Sequence, residues 1–219
     1  MPRARSKTIR MSSSGRRDQL LRSAIDIFAR RGFAGTKTRD IASEAGVSEA
    51  ILFRHFATKE HLYHAILDAK ENDNKDAAAN WRRVLEDCTD RRDDAGLIRH
   101  LAIKTFSSFR EDPAFHRLMV YALLEGHLMA SLFRERFAQP MGGFLRRYVA
   151  LRQKEGAFRK CDPEIATRFI LGTMVHWAMG KYVFGLKRSS LSEEEVAGEL
   201  VVLVLGGLQA ADKIRGAAK

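Results

Sequence analysis

Residues 38–55 read TRDIASEAGVSEAILFRH, and the reading of this stretch decides the fold. Two short apolar-periodic segments flank the turn Ala45-Gly46-Val47-Ser48. Helices joined by so tight a turn cannot lie antiparallel and must cross steeply. Gly46 supplies a backbone conformation that other residues dislike, and Ala42 is small where the second helix must come close. Ile41, Ala45, Val47 and Leu52 fall on the inward positions. This is a helix-turn-helix pattern, whose second helix is sized to enter a DNA major groove. Any helical hairpin can mimic the bare pattern, so its surroundings matter.

Working outward, apolar residues recur at three- and four-residue spacing almost throughout, and alternating β-branched runs are absent, so the chain reads as all-α. Nothing between Arg3 and Asp112 is interrupted by proline. Residues 1–15 are basic, Ser-rich and aperiodic, and are expected to form a flexible arm. A helix is expected over about 16–31, ending at Gly32, followed by short helices at 38–45 and from Ser48 to His55. Thr58 caps a longer helix beginning near Lys59. From 70 to 92 the polar composition suggests the end of that helix and then a loop. Further helices are expected at about 95–110, 113–126, 128–137 and 141–154. Asp162-Pro163-Glu164 opens an apolar helix to about Gly185, and the capping box at Ser192 opens a last one to about 213. These divide into an arm (1–15), a three-helix bundle with the helix-turn-helix (16–62), and a larger helical domain (63–219).

The chain has 219 residues and a formal net charge of +11. The excess is localised: residues 1–60 hold 13 Lys and Arg against 6 Asp and Glu, while the remaining residues are nearly balanced. A compact basic segment suggests a polyanionic partner. No apolar run approaches the ~20 residues of a membrane span, so no membrane partner is expected. The basic N-terminus lacks the apolar core of a secretory signal, and a cytoplasmic protein is expected. Cys88 and Cys161 make neither a disulfide framework nor a metal site, and no metal or cofactor is expected. GxSxG, P-loop, GxGxxG and HExxH motifs are missing, which argues against an enzyme.

The run Gly32 to Leu62, GFAGTKTRDIASEAGVSEAILFRHFATKEHL, together with Phe28, resembles the DNA-binding domain of the TetR family of bacterial transcriptional regulators. The match spans about residues 16–65; beyond it the likeness is only architectural. The resemblance implies double-stranded DNA with a palindromic operator as partner, a homodimer, and a small effector, apolar or aromatic, that releases a repressor from DNA. Nucleoid association when bound would follow. Lys59 is implied as a phosphate clamp. The family usually has tyrosine at position 53, whose hydroxyl reaches phosphate; Phe53 can only pack or touch a sugar or methyl, and Lys37 offers a compensating charge.

Chemistry assigns the other roles. Thr38 and Arg39 can meet phosphate with hydroxyl, guanidinium and helix-terminal N–H groups. Base reading falls to Ser48, Glu49, Ala50, Arg54 and His55: Arg54 to guanine, Glu49 to cytosine N4, Ala50 to a thymine methyl. Arg54 contacting phosphate alone, and His55 packing, stay open.

In the larger half, helices from Pro163 and Ser192 are apolar on more than one face, which suits a four-helix dimer interface through Ile170, Met174, Trp177, Leu200, Val204 and Leu208. Burial of both helices within one subunit is the alternative. An aromatic interior holding Phe106, Phe109, Met119, Phe144, Tyr148 and Trp177 suits an apolar effector, with Tyr121, His127 or His176 as polar handles; ordinary core packing explains the same residues. A basic helical adaptor without sequence-specific DNA binding is the alternative function, against which the localised charge speaks.

Overall fold

The computed structural model describes residues 12–73, 75–126, 128–186 and 190–209. The described residues form α1 (Ser13–Arg31), α2 (Thr38–Glu44), α3 (Glu49–His55), α4 (Lys59–Asp73), α5 (Lys75–Arg91), α6 (Asp94–Glu111), α7 (Pro113–Leu124), α8 (Leu128–Phe133), a π-helical turn (Arg134–Ala138), α9 (Gln139–Lys154), α10 (Pro163–Tyr182) and α11 (Glu193–Leu208). The fold is all-α, as expected.

Capping sets most of the boundaries. Asp112 accepts from the Phe115 N–H at 2.9 Å and Asp162 from the Glu164 N–H at 2.7 Å, each with proline in the first turn. Ser192 and Glu195 cap each other's backbone. α1 starts earlier than expected because Ser12 caps the Gly15 N–H, so residues 13–15 are its first turn; residues 1–11 lie outside the described residues. α11 ends at Leu208, where Gln209 turns extended and bridges to Phe158.

The largest difference from the sequence reading is α5, which occupies most of the stretch expected to be loop. Trp81, Leu85 and Cys88 recur at helical spacing, and Leu85 and Cys88 are buried against α6. The high density of charge around them belongs to the helix's solvent face.

Two cores organise the packing. In the first, Leu20, Ala24 and Phe28 of α1, Ile41, Leu52, Phe56, and Leu62 and Ile66 of α4 pack with Phe115, Leu118, Met119 and Ala122 of α7. In the second, α6 lies against α10 and α11, and α9 against α10, around Leu97, Leu101, Phe106, Leu145, Ile170, Met174, Val201 and Val204. α4 runs unbroken across residue 62, where the sequence reading placed a division.

The second core corrects the expected dimer face. Ile170, Met174, Val204 and Leu208 are buried inside the subunit, and Trp177 and Leu200 are half-buried against them. A helix that is apolar all round does not disclose which face its own subunit uses. The large apolar residues left exposed on these helices are Ile165, Phe169 and Val175 on α10, with Val202 and Leu203 on α11.

At the junction of α6 and α7, the His116 ring stacks on Phe109 with centroids 3.7 Å apart, and burial pushes its pKa down to about 4. Asp112, which favours the charged ring, and Lys70, which opposes it, are smaller influences. The unfolded value is 6.5, so below that pH the unfolded chain takes up a proton that the folded chain refuses. Stability is expected to fall from pH 6.5 and to level off near pH 4, losing about 3 kcal/mol to this group. Urea unfolding across that range checks it: His116→Phe should flatten this part of the profile.

Candidate nucleic-acid interface

The turn at Gly46 is closed by its own backbone. The Val47 N–H donates to the Ala42 carbonyl at 2.9 Å and the Gly46 N–H to the Ser43 carbonyl at 3.0 Å, with Gly46 at φ 64°. This paired pattern uses carbonyls that the end of α2 would otherwise leave unmet. Gln19 of α1 donates from Nε2 to the Ala45 carbonyl at 3.0 Å, which pins the turn to the first helix. Leu52 and Phe56 anchor α3 below, and the Arg17 guanidinium lies 5.1 Å from the Phe56 ring centre.

With that face buried, α3 presents Ser48, Glu49, Ala50, Phe53 and Arg54 to solvent. Phe53 is 46% exposed, an aromatic ring in water on a polar helix face. His55 is half-buried, its ring 6.4 Å from that of Phe56. Ser48 occupies the N-cap position of α3 without a side-chain cap bond.

Lys37 is exposed just ahead of α2, and Arg39 is exposed on its first turn. Asp40 turns back, pairing with Arg31 at 2.9 Å. The Thr38 hydroxyl donates to Glu49 Oε1 at 2.6 Å, a bond that joins the first turns of α2 and α3. Thr38 and Glu49 are therefore partners of one another, a pairing their separation in sequence does not announce. Lys59 is turned inward: its ammonium donates to the Thr36 carbonyl at 2.7 Å and lies 4.0 Å from the Phe33 ring centre. Burial depresses its pKa, opposed by the charges of Glu60 and Glu125.

Glu125, at the end of α7, is a residue the sequence reading missed. Its carboxylate accepts from the Phe33 N–H at 3.0 Å and the Ala34 N–H at 3.4 Å, and so holds the loop between α1 and α2. The Tyr121 hydroxyl donates to the Arg30 carbonyl at 3.4 Å in the same joint. Only the end of an apolar helix followed by Gly126 hinted at a cap here. A second tie runs from α4, where Lys70 pairs with Asp112 and Arg136 pairs with Asp68 at 2.6 Å and with Glu71 at 3.4 Å.

The residues expected around an effector do not share one chamber. Phe106 and Trp177 pack together in the second core with ring centroids 4.4 Å apart, Phe109 stacks on His116, and the Tyr148 hydroxyl donates to Asp94. Met119 and Tyr121 belong with the reading head, His176 is exposed, and His127 lies outside the described residues. Among the described residues of this set, Phe144 alone lines the cavity of about 490 Å³ between α5 and α9. An aromatic count along the chain cannot say which rings converge. Among the described residues no cluster of His, Cys, Asp and Glu is arranged to hold a metal, and no helix is long and apolar enough to cross a membrane.

A helix-turn-helix whose second helix projects a polar face, backed by a larger all-helical unit, defines a DNA-binding transcriptional regulator. The model of the tetR family of bacterial regulatory proteins matches residues 20–66. The chain is 30% identical over 203 residues to the HTH-type transcriptional repressor KstR2 of Rhodococcus jostii, covering 89% of this chain and 92% of that protein. It belongs to the TetR family. Its fold is similar to that of the ketosteroid transcriptional regulator KstR2 of Mycobacterium tuberculosis (TM-score 0.66, 24% identity, 92% of this chain and 97% of that one). It is similar also to AibR, solved in complex with isovaleryl coenzyme A and operator DNA (TM-score 0.62, 19% identity, 86% and 97%).

The Glu125 joint has a stability signature. Gly32 sits at φ 68° and ψ 179°, and a Cβ there would lie 2.3 Å from Glu125 Oε1. Gly32→Ala is expected to cost about 2–3 kcal/mol from the backbone alone and from the displaced carboxylate together. In a Glu125→Ala background the cost should shrink to the backbone part, read as the coupling in a urea double-mutant cycle.

Proposed function

We propose that this protein is a repressor that binds a two-fold symmetric operator as a homodimer and leaves it when a small effector occupies the larger half. The exposed face of α3 carries the reading: with Leu52 and Phe56 spent on the core, Ser48, Ala50 and Arg54 are free to meet base edges, Glu49 to do so with the oxygen that Thr38 leaves open, Phe53 to meet a sugar or methyl, and His55 to reach the groove wall. Lys37, Thr38 and Arg39 meet phosphate. Lys59 supports this set from behind by fixing the Thr36 carbonyl, and its charge is assigned to a phosphate contact once DNA is bound.

The exposed Ile165, Phe169, Val175, Val202 and Leu203 supply the apolar face of the dimer. The same patch on two copies gives an isologous contact and two reading heads related by a two-fold axis. Similarity to a named repressor over most of the chain supports the sign of regulation. A related fold holding a coenzyme A thioester and operator DNA supports effector control. Arg3, Arg5, Lys7 and Arg10, ahead of α1, add basic side chains that can follow the backbone of the duplex.

Binding measured by fluorescence anisotropy over a salt series separates the roles. Arg39→Ala and Lys59→Ala should weaken every DNA sequence about equally and flatten the salt slope by roughly one unit. Arg54→Ala should relax discrimination at one base pair per half-site, at a cost of about 1–3 kcal/mol there. Equal, sequence-blind losses from all three would remove Arg54 from base reading.

A further inference from the structure

The cavity of about 490 Å³ between α5 and α9 has a floor of Trp81, Phe137 and Phe144 and a rim of Arg82, Arg136 and Arg147. Three guanidiniums face it against the single carboxylate of Glu86, so the rim is net positive while the floor is aromatic. The Trp81 indole N–H is buried with no acceptor among the described residues, a donor that an oxygen-bearing occupant would satisfy. Arg82 and Arg147 form no ion pair with a carboxylate among the described residues, whereas Arg136 is held by Asp68 and Glu71 of α4. The π-helical turn carries Arg136 and Phe137 at successive positions and brings both to the cavity; such wide turns recur at functional sites.

We propose that this cavity takes an amphipathic anion, an apolar chain ending in a phosphate or carboxylate, and that the anion competes with Asp68 and Glu71 for Arg136. The proposal rests on the reading that the larger half accepts an effector, and it gives that effector a chemical class and a switch. The chain packs on Trp81, Phe137 and Phe144; the head group meets Arg82 and Arg147 and draws Arg136 from α4. α4 belongs to the core of the reading head through Leu62 and Ile66. Loss of the Arg136 tie removes the ion pairs from one face of α4, while the Lys70–Asp112 pair and the apolar core shared with α7 stay in place and serve as the hinge. The anion thus favours an arrangement of the heads that the tie resists, which is the differential affinity that coupling needs.

The test uses decyl phosphate, decanol and inorganic phosphate on the full-length protein. In a Trp177→Phe background Trp81 is the one tryptophan, and its emission reports occupancy without DNA; calorimetry on the parent gives the same affinities without that substitution. Decyl phosphate should bind at least about tenfold more tightly than decanol or inorganic phosphate, and should weaken DNA binding about tenfold. Asp68→Asn/Glu71→Gln, which removes the competitors, should raise decyl phosphate affinity about fivefold, the scale of a half-exposed ion pair, and abolish its effect on DNA. Arg82→Gln/Arg147→Gln should lose the preference for the anion over decanol. Equal binding of decanol and decyl phosphate would overturn the proposal, as would an anion affinity that ignores the loss of Asp68 and Glu71. Because occupancy is read without DNA, failure here is distinguishable from failure of the operator reading.

Discussion

The reading head of this protein does not close its own core. Phe28 of α1, Ile41, Leu52 and Ile66 share one core with Phe115, Leu118, Met119 and Ala122 of α7, and α1 packs directly on α7, so the core of the helix-turn-helix is completed by a helix of the larger half. Burial of side chains of this size stabilises by about 1.5–3 kcal/mol each, which makes the joint a structural necessity. The consequence is mechanical: a displacement of α7 is felt by α1, and a displacement of α4 is felt by both halves. Glu125 fastens the first of these contacts to the loop ahead of α2 and Tyr121 to the end of α1, and Arg136 fastens the second to the wall of the α5–α9 cavity. Recognition and regulation therefore share one packed interface, and a ligand several helices away has a path of contacts to the DNA face.

The electrostatics follow the same division. The basic excess lies in the first 60 residues, and many of its members there already have partners: Arg31 on Asp40, Arg30 on Glu44, Lys59 on the Thr36 carbonyl. Around α2 and α3, Lys37 and Arg54 stay exposed, as does Arg39, whose guanidinium lies 3.8 Å from Asp40. Glu49, held by Thr38, sets a negative charge between them. A face that mixes signs in this way binds phosphate less tightly than an all-basic one and leaves more of its discrimination to base edges.

Much of this was legible in the chain. The turn at Gly46, the caps at Thr58, Asp112, Asp162 and Ser192, and the outward face of α3 all follow from local rules that act within a few residues. What was not legible depends on which of several faces a helix turns to which neighbour. α10 and α11 are apolar nearly all round, and Ile170, Met174, Val204 and Leu208 went to the subunit's own core while Phe169 and Leu203 were left outside. In α5 the charges outnumber the apolar residues and suggest a helix end and a loop, although Trp81, Leu85 and Cys88 hold the helical spacing. Glu125 and Arg136 act across more than sixty residues of sequence, and nothing in their own neighbourhoods points to Phe33 or Asp68.

In the proposed complex the rod of side chains on α3 reads a DNA sequence, twice, about a two-fold axis. Selection of genomic fragments by the purified full-length protein, followed by sequencing of what is retained, tests it most directly. One enriched motif is expected, its own reverse complement, with half-sites centred about one helical turn, or a whole multiple of it, apart. Retention of fragments without any common motif, at the level of scrambled competitor, would contradict it.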